Sequence, residues 1–270
     1  IKSGHILYKG EDLTTWSEKQ MSHFRGKCCS IVFQDPMTSL NPVFTIGSQL
    51  GEAIRLHTNR RGKEVRERAI EMLELVGINE PEKRIKQYPF ELSGGMRQRV
   101  MIAMALACEP DILIADEPTT ALDVTIQAQI LELMQDLQKK LGMAVILVTH
   151  DLGVIADMCD NIIVMYGGRI CERGTAREIF YNPKHEYTKG LLRSIPNVNN
   201  MKKKLVPIAG TPINMLNLPA GCAFCTRCDA AMKICLTEHP DELTINENHK
   251  AACWVNIRDR LMAEGGEGNV

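Results

Sequence analysis

The 270-residue sequence predicts an α/β fold followed by a small cysteine-rich C-terminal module. Two short apolar runs, "DILIAD" at 111–116 and "AVILVTH" at 144–150, are typical of strands buried on both faces of a parallel sheet. Between them, residues 124–141 place apolar side chains at helical spacing, and Gly142 follows as a helix stop. Strand, helix and strand in this order predict a right-handed βαβ unit.

The elements around this unit follow from local patterns. "GHILYKG" and "KCCSIVFQ", within residues 1–33, have the composition of strands, and "QDPMTSLNPVFT" at 34–45 predicts a loop. Residues 63–76 carry an apolar helical face closed by Gly77, and "MRQRVMIAMALACE" predicts a second helix that Pro110 ends. Farther on, "NIIVMYGGRICERG" predicts a hairpin with a Gly-Gly turn.

Composition excludes two classes of protein. The formal net charge is −1, so no global basic field indicates nucleic acid as a partner. Hydrophobic residues make up 44% and charged residues 24%, which is typical of a globular domain, and no apolar window is long enough to span a bilayer. The chain begins with Ile1 rather than Met, and we expect it to be a fragment.

Acidic residues end both predicted strands of the βαβ unit. Asp116-Glu117 follows "ILIA", and His150-Asp151 follows "VILVT". Because ligands bind at the carboxyl ends of parallel strands, Asp116 suits a Mg²⁺ site and Glu117 suits orienting or deprotonating a water. His150 would contact a transferring phosphoryl group. Acids also end strands at ordinary turns, so this pattern alone leaves a purely structural explanation open.

The stretch "ELSGGMRQRV" places two glycines where a helix begins. Glycine costs about 1 kcal/mol relative to alanine within a helix, so the pair needs a reason. One reason is close backbone approach of a phosphate to the helix N-terminus. The other is an ordinary Ser93 cap followed by a loose glycine turn.

Four motifs in sequence order carry a family resemblance. "FQDPMTSLNP", "LSGGMRQR", "ILIADEPTTALD" and "VTHD" resemble the Q-loop, signature motif, Walker B with D-loop, and switch histidine of ABC-type ATPases. The resemblance implies an ABC-type P-loop ATPase domain over residues 1–180 that uses ATP and Mg²⁺. It also implies a helical signature subdomain at about residues 40–110.

The resemblance implies a role for each matching residue. Gln34 would sense Mg²⁺ and the γ-phosphate, and Asp116 would hold Mg²⁺ through water. Glu117 would polarise the attacking water, and His150 would clamp the γ-phosphate. The remaining nucleotide-binding assignments, at the signature motif and across a dimer interface, are Ser93, Gly94, Gly95, Gln98 and Asp123.

The phosphate-binding pattern GxxxxGK[ST] occurs nowhere in the sequence. "RGKCC" and "RGKEV" lack the upstream glycine and the hydroxyl residue after Lys. In the family this loop precedes the strand that opens the present chain. We therefore expect an N-terminal truncation rather than a natural loss, and we expect the fragment alone to be inactive as an ATPase.

Five of the ten cysteines crowd into residues 222–253. Four of them, Cys222, Cys228, Cys235 and Cys253, have the spacing C-x5-C-x6-C-x17-C. The fifth, Cys225, lies outside this pattern. Thiolates in a loop-rich module too small for its own core fit a metal or Fe–S centre. Disulfides are the alternative, but they are rare in the reducing compartment where ATP is used. The spacing does not separate zinc from iron–sulfur.

The tail carries a second resemblance. "NPKHEYTKGLL", "PIAGTPINMLNLPAGCAF" and "HKAACW" resemble the C-terminal extension of oligopeptide and dipeptide importer ATPases, here residues 181–270. The resemblance implies a [4Fe–4S] cluster on the four cysteines named above, with zinc as the alternative. Glu186 replaces the proline of the usual "HPYT", and Cys225 is an additional candidate ligand.

Together the resemblances imply an ATP-binding subunit that drives import of di- or oligopeptides. The implied partners are a second ABC ATPase subunit (identical or different), two integral membrane permease subunits and, indirectly, an extracytoplasmic peptide-binding protein. The implied location is peripheral, on the cytoplasmic face of the cell membrane. Three alternatives stay open: nickel or another small solute as cargo, a nucleotide-incompetent partner subunit, and a soluble ABC ATPase without a transport role.

Overall fold

The computed structural model describes residues 3–120, 122–195 and 207–263. The chain divides into two compact units between His150 and Asp151. The boundary predicted at 180/181 lies within the second unit and stays a prediction. Of the predicted C-terminal extension, residues 196–206 and 264–270 lie outside the described ranges.

Short strands and helices alternate along the described residues. The strands are β1 (Leu7–Tyr8), β2 (Glu11–Asp12), β3 (Cys29–Val32), β4 (Ile112–Asp116), β5 (Ala144–Val148), β6 (Asn161–Tyr166), β7 (Arg169–Thr175), β8 (Leu243–Asn246) and β9 (His249–Ala251). The α-helices are α1 (Glu18–Lys27), α2 (Pro36–Ser39), α3 (Ile46–His57), α4 (Lys63–Leu75), α5 (Pro81–Arg84), α6 (Gly94–Leu106), α7 (Val124–Leu141), α8 (Leu152–Met158), α9 (Ala176–Tyr181), α10 (Glu186–Arg193), α11 (Ile234–Thr237) and α12 (Trp254–Ala263).

The first unit contains a parallel sheet in the order β3-β4-β5. The chain runs from β4 through α7 to β5, so the predicted strand–helix–strand order is confirmed. Asp123 caps the start of α7, and Gly142 ends it in the left-handed region at φ +65°, where glycine avoids a side-chain clash. The helix buries Ile130, Met134 and Leu137.

One face of this sheet is exposed, which corrects the prediction that both strands are buried on both faces. Leu113 and Ala115 are fully buried on one side of β4. On β3 and β5, however, Ile31, Ile146 and Val148 are 42%, 51% and 48% exposed. Successive side chains of a strand point to opposite faces, so a continuous apolar run predicts that both faces are apolar, not that both are covered.

The chain from 46 to 106 is mainly helical, where the sequence predicts a helical subdomain. Its fully buried side chains come from α3, α4 and α6, and they include Ile46, Leu50, Ile54, Leu73, Ile102 and Leu106. The predicted helix at 63–76 is confirmed as α4. The segment at 34–45, predicted as a loop, contains the one-turn helix α2. No helix in the described part of the chain is long and apolar enough to cross a bilayer.

The second unit is organised by an antiparallel sheet in the order β6-β7-β9-β8. The predicted hairpin is confirmed, with Gly167 and Gly168 turning the chain at φ +58° and +75°. Strand β9 pairs with β7, so that Gly174 lies opposite His249. The C-terminal residues therefore add two strands to the hairpin, which the sequence patterns did not predict.

A buried carboxylate connects the added C-terminal strands to the hairpin. Glu172 on β7 is fully buried, and His249 Nε2 lies 2.7 Å from its Oε1. The backbone N–H groups of Lys184 and His185 donate to the same carboxylate at 2.6 and 3.0 Å. Glu172 thus joins β7 to β9 and to the segment that precedes α10.

Candidate functional site

The turn after β4 brings the ends of two parallel strands together. Glu117 follows β4 with φ +44°, a left-handed conformation that is uncommon outside glycine and that clusters at functional sites. Its backbone N–H donates to the Val148 carbonyl at the end of β5, at 2.8 Å. The N–H of Thr120 donates to the Glu117 carbonyl at 3.1 Å. These two bonds hold Glu117 at the carboxyl end of the sheet.

Three side chains converge on the Glu117 carboxylate. Gln34 Nε2 and Thr120 Oγ1 each donate to Oε2 at 2.9 Å. His150 Nδ1 lies 2.9 Å from Oε1, and because an ionised carboxylate only accepts, Nδ1 carries the proton. The hydrogen bonds from His150 and then from Thr120 hold the pKa of the Glu117 carboxyl below its usual range. Two residues predicted from separate motifs, Gln34 and His150, therefore meet at the carboxylate of a third predicted residue, Glu117.

This arrangement leaves specific atoms available. An ionised carboxylate has about four acceptor positions, and three are taken at Glu117, which leaves one for a water. Gln34 uses its nitrogen on Glu117, so its carbonyl oxygen stays available for a cation. Asp116 ends β4 immediately before Glu117. Oxygen donors of this kind fit Mg²⁺, the hard cation that the sequence predicts.

Sequence reasoning missed Thr120. Its hydroxyl contacts Glu117 because the turn folds the chain back over three residues. The signal available in "DEPTT" is a hydroxyl residue shortly after an acid within a turn, a pattern in which local side-chain hydrogen bonds are common.

The glycine pair lies in the first turn of α6. Ser93 caps this helix by accepting from Met96 N at 3.3 Å. A Cβ added at Gly95 would lie 2.8 Å from Ile126 Cγ2, so close approach of α7 already requires glycine there. At Gly94 the nearest atom would be 3.7 Å away, an ordinary contact. Packing within this chain explains the second glycine but not the first.

Two other predicted nucleotide-binding residues differ in their hydrogen bonding within this chain. The Asp123 carboxylate accepts from Ile126 N at 3.0 Å and caps α7. Gln98 is buried in α6, with its Nε2 lacking a hydrogen-bond partner. Their assigned roles toward a nucleotide stay predictions.

In the second unit, one small cavity is lined by all five cysteines of the C-terminal cluster. They are Cys222, Cys225, Cys228, Cys235 and Cys253. The cavity measures about 20 Å³, room for about one water molecule. His185 also lines it, and burial lowers the pKa of this ring to about 4, so it is neutral at pH 7.

The cysteines are free thiols rather than disulfides. Burial raises the pKa of Cys222 and of Cys228 to about 11, so both thiols are protonated at pH 7. In the described ranges, no three His, Cys, Asp or Glu side chains already form a metal-binding group. The donors fit a thiolate-bound metal in number and chemistry, but the structure does not present them as a preformed ligand set. Metal binding would have to release their protons.

Cys171 on β7 is a sixth thiol beside this cluster, and sequence spacing gave no signal for it. Burial and then the neighbouring Cys222 raise its pKa to about 12. It packs with Tyr166, Ala223 and Phe224 in a buried apolar cluster.

Two protein-family models match separate parts of the chain. Residues 1–120 match the family described as ABC transporter. Residues 171–235 match the family described as oligopeptide/dipeptide transporter, C-terminal region.

Relatives of high identity span both parts. The dipeptide transport ATP-binding protein DppD of Bacillus subtilis (strain 168) is 52% identical over 255 residues, which cover 94% of this chain and 76% of that protein. The oligopeptide transport ATP-binding protein OppD of the same organism is 52% identical over 268 residues, which cover 99% of this chain and 75% of that protein.

Solved structures show the same fold. The cbiO1 protein of Clostridium perfringens, part of an ABC transporter complex, superimposes with a TM-score of 0.59 at 31% identity, over 67% of this chain and 69% of that one. A dimeric ATP-binding cassette bound to ADP and Pi superimposes with a TM-score of 0.57 at 29% identity, over 65% and 75% of the two chains. The resemblance drawn from the motifs is confirmed: this chain belongs to the ATP-binding subunits of oligopeptide and dipeptide ABC transporters.

Proposed function

We propose that this subunit couples ATP hydrolysis to the import of di- or oligopeptides. The observation that carries the proposal is the Glu117 carboxylate, on which Gln34, Thr120 and His150 converge at the ends of β4 and β5. Hydrolysis of ATP requires a water placed in line with the γ-phosphate, and a fixed, ionised carboxylate can orient that water. The names of the relatives supply the cargo class.

Each residue of the Glu117 site would have a different role in ATP hydrolysis. Glu117 accepts a hydrogen bond from the attacking water through its remaining acceptor position. Gln34 and Asp116 would hold Mg²⁺, which neutralises phosphate charge when bound. His150 is 78% exposed while its Nδ1 is anchored on Glu117, so its outer edge is accessible to a γ-phosphate.

The signature residues act toward a second subunit. Ser93 and the first-turn N–H groups of Gly94 and Gly95, which are partly buried, would meet a γ-phosphate held by another chain, as helix N-termini do with anions. Gln98 and Asp123 would support that interface. The assembly would contain a second ABC ATPase subunit, two permease subunits and an external binding protein, with this subunit peripheral on the cytoplasmic face of the membrane.

Uptake by the assembled importer tests the function. Membrane vesicles containing the importer and its binding protein should accumulate a labelled dipeptide or oligopeptide only when ATP is supplied. Labelled nickel serves as the competing cargo in the same vesicles. ATP-dependent nickel uptake without peptide uptake would contradict the proposed cargo.

Replacing Thr120 with valine should slow ATP hydrolysis in the importer about 10- to 100-fold. Valine keeps the shape of the side chain but removes the hydroxyl that donates to Glu117, and a hydrogen bond to a charged group contributes about 1.5–3 kcal/mol. Thr120→Ser retains the hydroxyl and should hydrolyse ATP at close to the normal rate. Steady-state kinetics should assign the loss to kcat, with KM for ATP unchanged. A Thr120→Val variant with full kcat would remove Thr120 from the site.

We also propose that Cys222, Cys228, Cys235 and Cys253 bind a [4Fe–4S] cluster, for which the small cavity between them would have to widen. The support is that these thiols line one cavity and form no disulfide. Zinc is the alternative, since thiolates bind both. Because the cysteines lie in the second unit and the Glu117 site lies in the first, we assign the centre a structural or docking role.

Two neighbouring cysteines provide a matched test of the ligand set. Anaerobically purified protein should contain about four irons per chain with the brown absorbance of a cluster. Cys228→Ser should lose iron because one ligand is removed, whereas Cys225→Ser, in the same turn, should keep it. Iron, sulfide and zinc analysis gives the answer. Zinc without iron would overturn the cluster, and iron loss in Cys225→Ser would overturn the choice of ligands.

A further inference from the structure

The starts of α6 and α7 lie against each other in the first unit. Ser93 caps α6 and Asp123 caps α7, and both residues are exposed. A Cβ added at Gly95, in the first turn of α6, would lie 2.8 Å from Ile126 Cγ2, in the first turn of α7. The two helix starts that are proposed to face a second subunit are therefore packed so closely that no side chain fits between them.

Ile126 contacts both helix starts. Its backbone N–H donates to Asp123 Oδ1 at 3.0 Å, and its side chain occupies the space into which a Cβ at Gly95 would project. A β-branched side chain within a helix has one strongly preferred χ1 rotamer, so Cγ2 cannot rotate away at low cost. The isoleucine thus sets how closely α6 approaches the capped end of α7.

We propose that Ile126 is a positioning residue for ATP hydrolysis, because it holds Ser93 and Asp123 at a fixed separation. This inference rests on the function proposed above, in which both residues act toward a second subunit. Groups that act across one interface must be held in fixed geometry, and a misplacement of about 1 Å can cost about 10²-fold in rate. In this role Ile126 touches no nucleotide and acts only through the two helix starts.

Three substitutions test the contact. Carbon atoms in contact lie about 3.5–4.0 Å apart, so Gly95→Ala must move α6 and α7 apart by about 1 Å. Ile126→Ala removes Cγ2 and makes room for the added methyl group. Ile126→Val is the matched control, because valine shortens the side chain but keeps both γ-carbon positions and therefore the obstruction.

The experiment measures ATP hydrolysis and equilibrium binding of labelled ATP by the assembled importer. We expect Gly95→Ala to lower kcat on the order of 10²-fold. ATP binding should be unchanged, because Ser93 and Asp123 meet a nucleotide that another chain holds. The double variant Gly95→Ala/Ile126→Ala should recover the kcat of Ile126→Ala alone, whereas Gly95→Ala/Ile126→Val should stay as low as Gly95→Ala.

The double variants give the deciding result. Equal kcat in both of them, or full kcat in Gly95→Ala, would overturn the role of Ile126 and leave the proposed function in place. An unsubstituted importer that hydrolyses no ATP would overturn both. If Ile126→Ala alone is inactive, thermal unfolding of the subunit decides. Gly95→Ala should then lower the unfolding midpoint when Ile126 is present but not when it is combined with Ile126→Ala, and equal lowering in both backgrounds would overturn the inference.

Discussion

Replacing Glu117 with glutamine should lower ATP turnover by the importer about 10²–10⁴-fold, the usual contribution of a general base. Glutamine has nearly the same shape, but it has no negative charge and only one acceptor oxygen for the donors that now meet at Glu117: Gln34, Thr120 and His150. The attacking water then loses the group that orients it. ATP binding does not require this carboxylate, so the variant should bind ATP and accumulate as a nucleotide-bound dimer.

Single-turnover hydrolysis and equilibrium binding of labelled ATP measure the two effects separately. Glu132→Gln is the matched control, because Glu132 is exposed on α7, away from the strand ends. Normal turnover in Glu117→Gln would place water activation on another residue.

Replacing Glu172 with glutamine should destabilise the second unit by about 1–3 kcal/mol, the usual cost of leaving a buried hydrogen-bonding group without its partner. The Glu172 carboxylate accepts from two backbone N–H groups and lies 2.7 Å from His249 Nε2. In glutamine one of these acceptor oxygens becomes an NH₂ group, which cannot accept from a backbone donor. At least one buried donor is left without a partner.

The matched control for this prediction is Glu242→Gln. Glu242, the residue before β8, pairs with Arg173 of β7 at 2.6 Å, but both side chains are partly exposed, so its loss should cost at most about 1 kcal/mol. Urea unfolding followed by Trp254 fluorescence reports on the second unit alone when Trp16, in the first unit, is replaced by phenylalanine. Equal effects of the two substitutions would show that the Glu172 contacts contribute little.

Sequence patterns predicted those features that depend on neighbouring residues or on strand ends. Helix α7 follows from apolar spacing and Gly142, and the hairpin follows from Gly167 and Gly168. The meeting of Glu117 with His150 follows because the carboxyl ends of adjacent parallel strands lie together. Each of these inferences needs only local conformation plus one rule of packing.

Other features depend on contacts that no local pattern encodes. The pairing of β7 with β9, the approach of Cys171 to Cys222 and the buried partner of Glu172 all join distant residues. The exposure of β5 was also not predicted. An apolar residue such as Ile146 shows that a face of the strand is apolar, but it does not show whether other residues cover that face. Thr120 was missed because a hydroxyl contact depends on the turn geometry.

The pairing of β7 with β9 has a consequence for how the protein is made. A ribosome completes β7 well before it reaches His249, so the emerging chain carries a strand whose N–H and C=O groups on one edge have no partner. Such edges pair readily with strands of other chains, and they are most hazardous during slow folding. A message that terminates before the codon for His249 would yield a chain with that edge permanently open, and such a product should aggregate or be degraded rather than join an assembly.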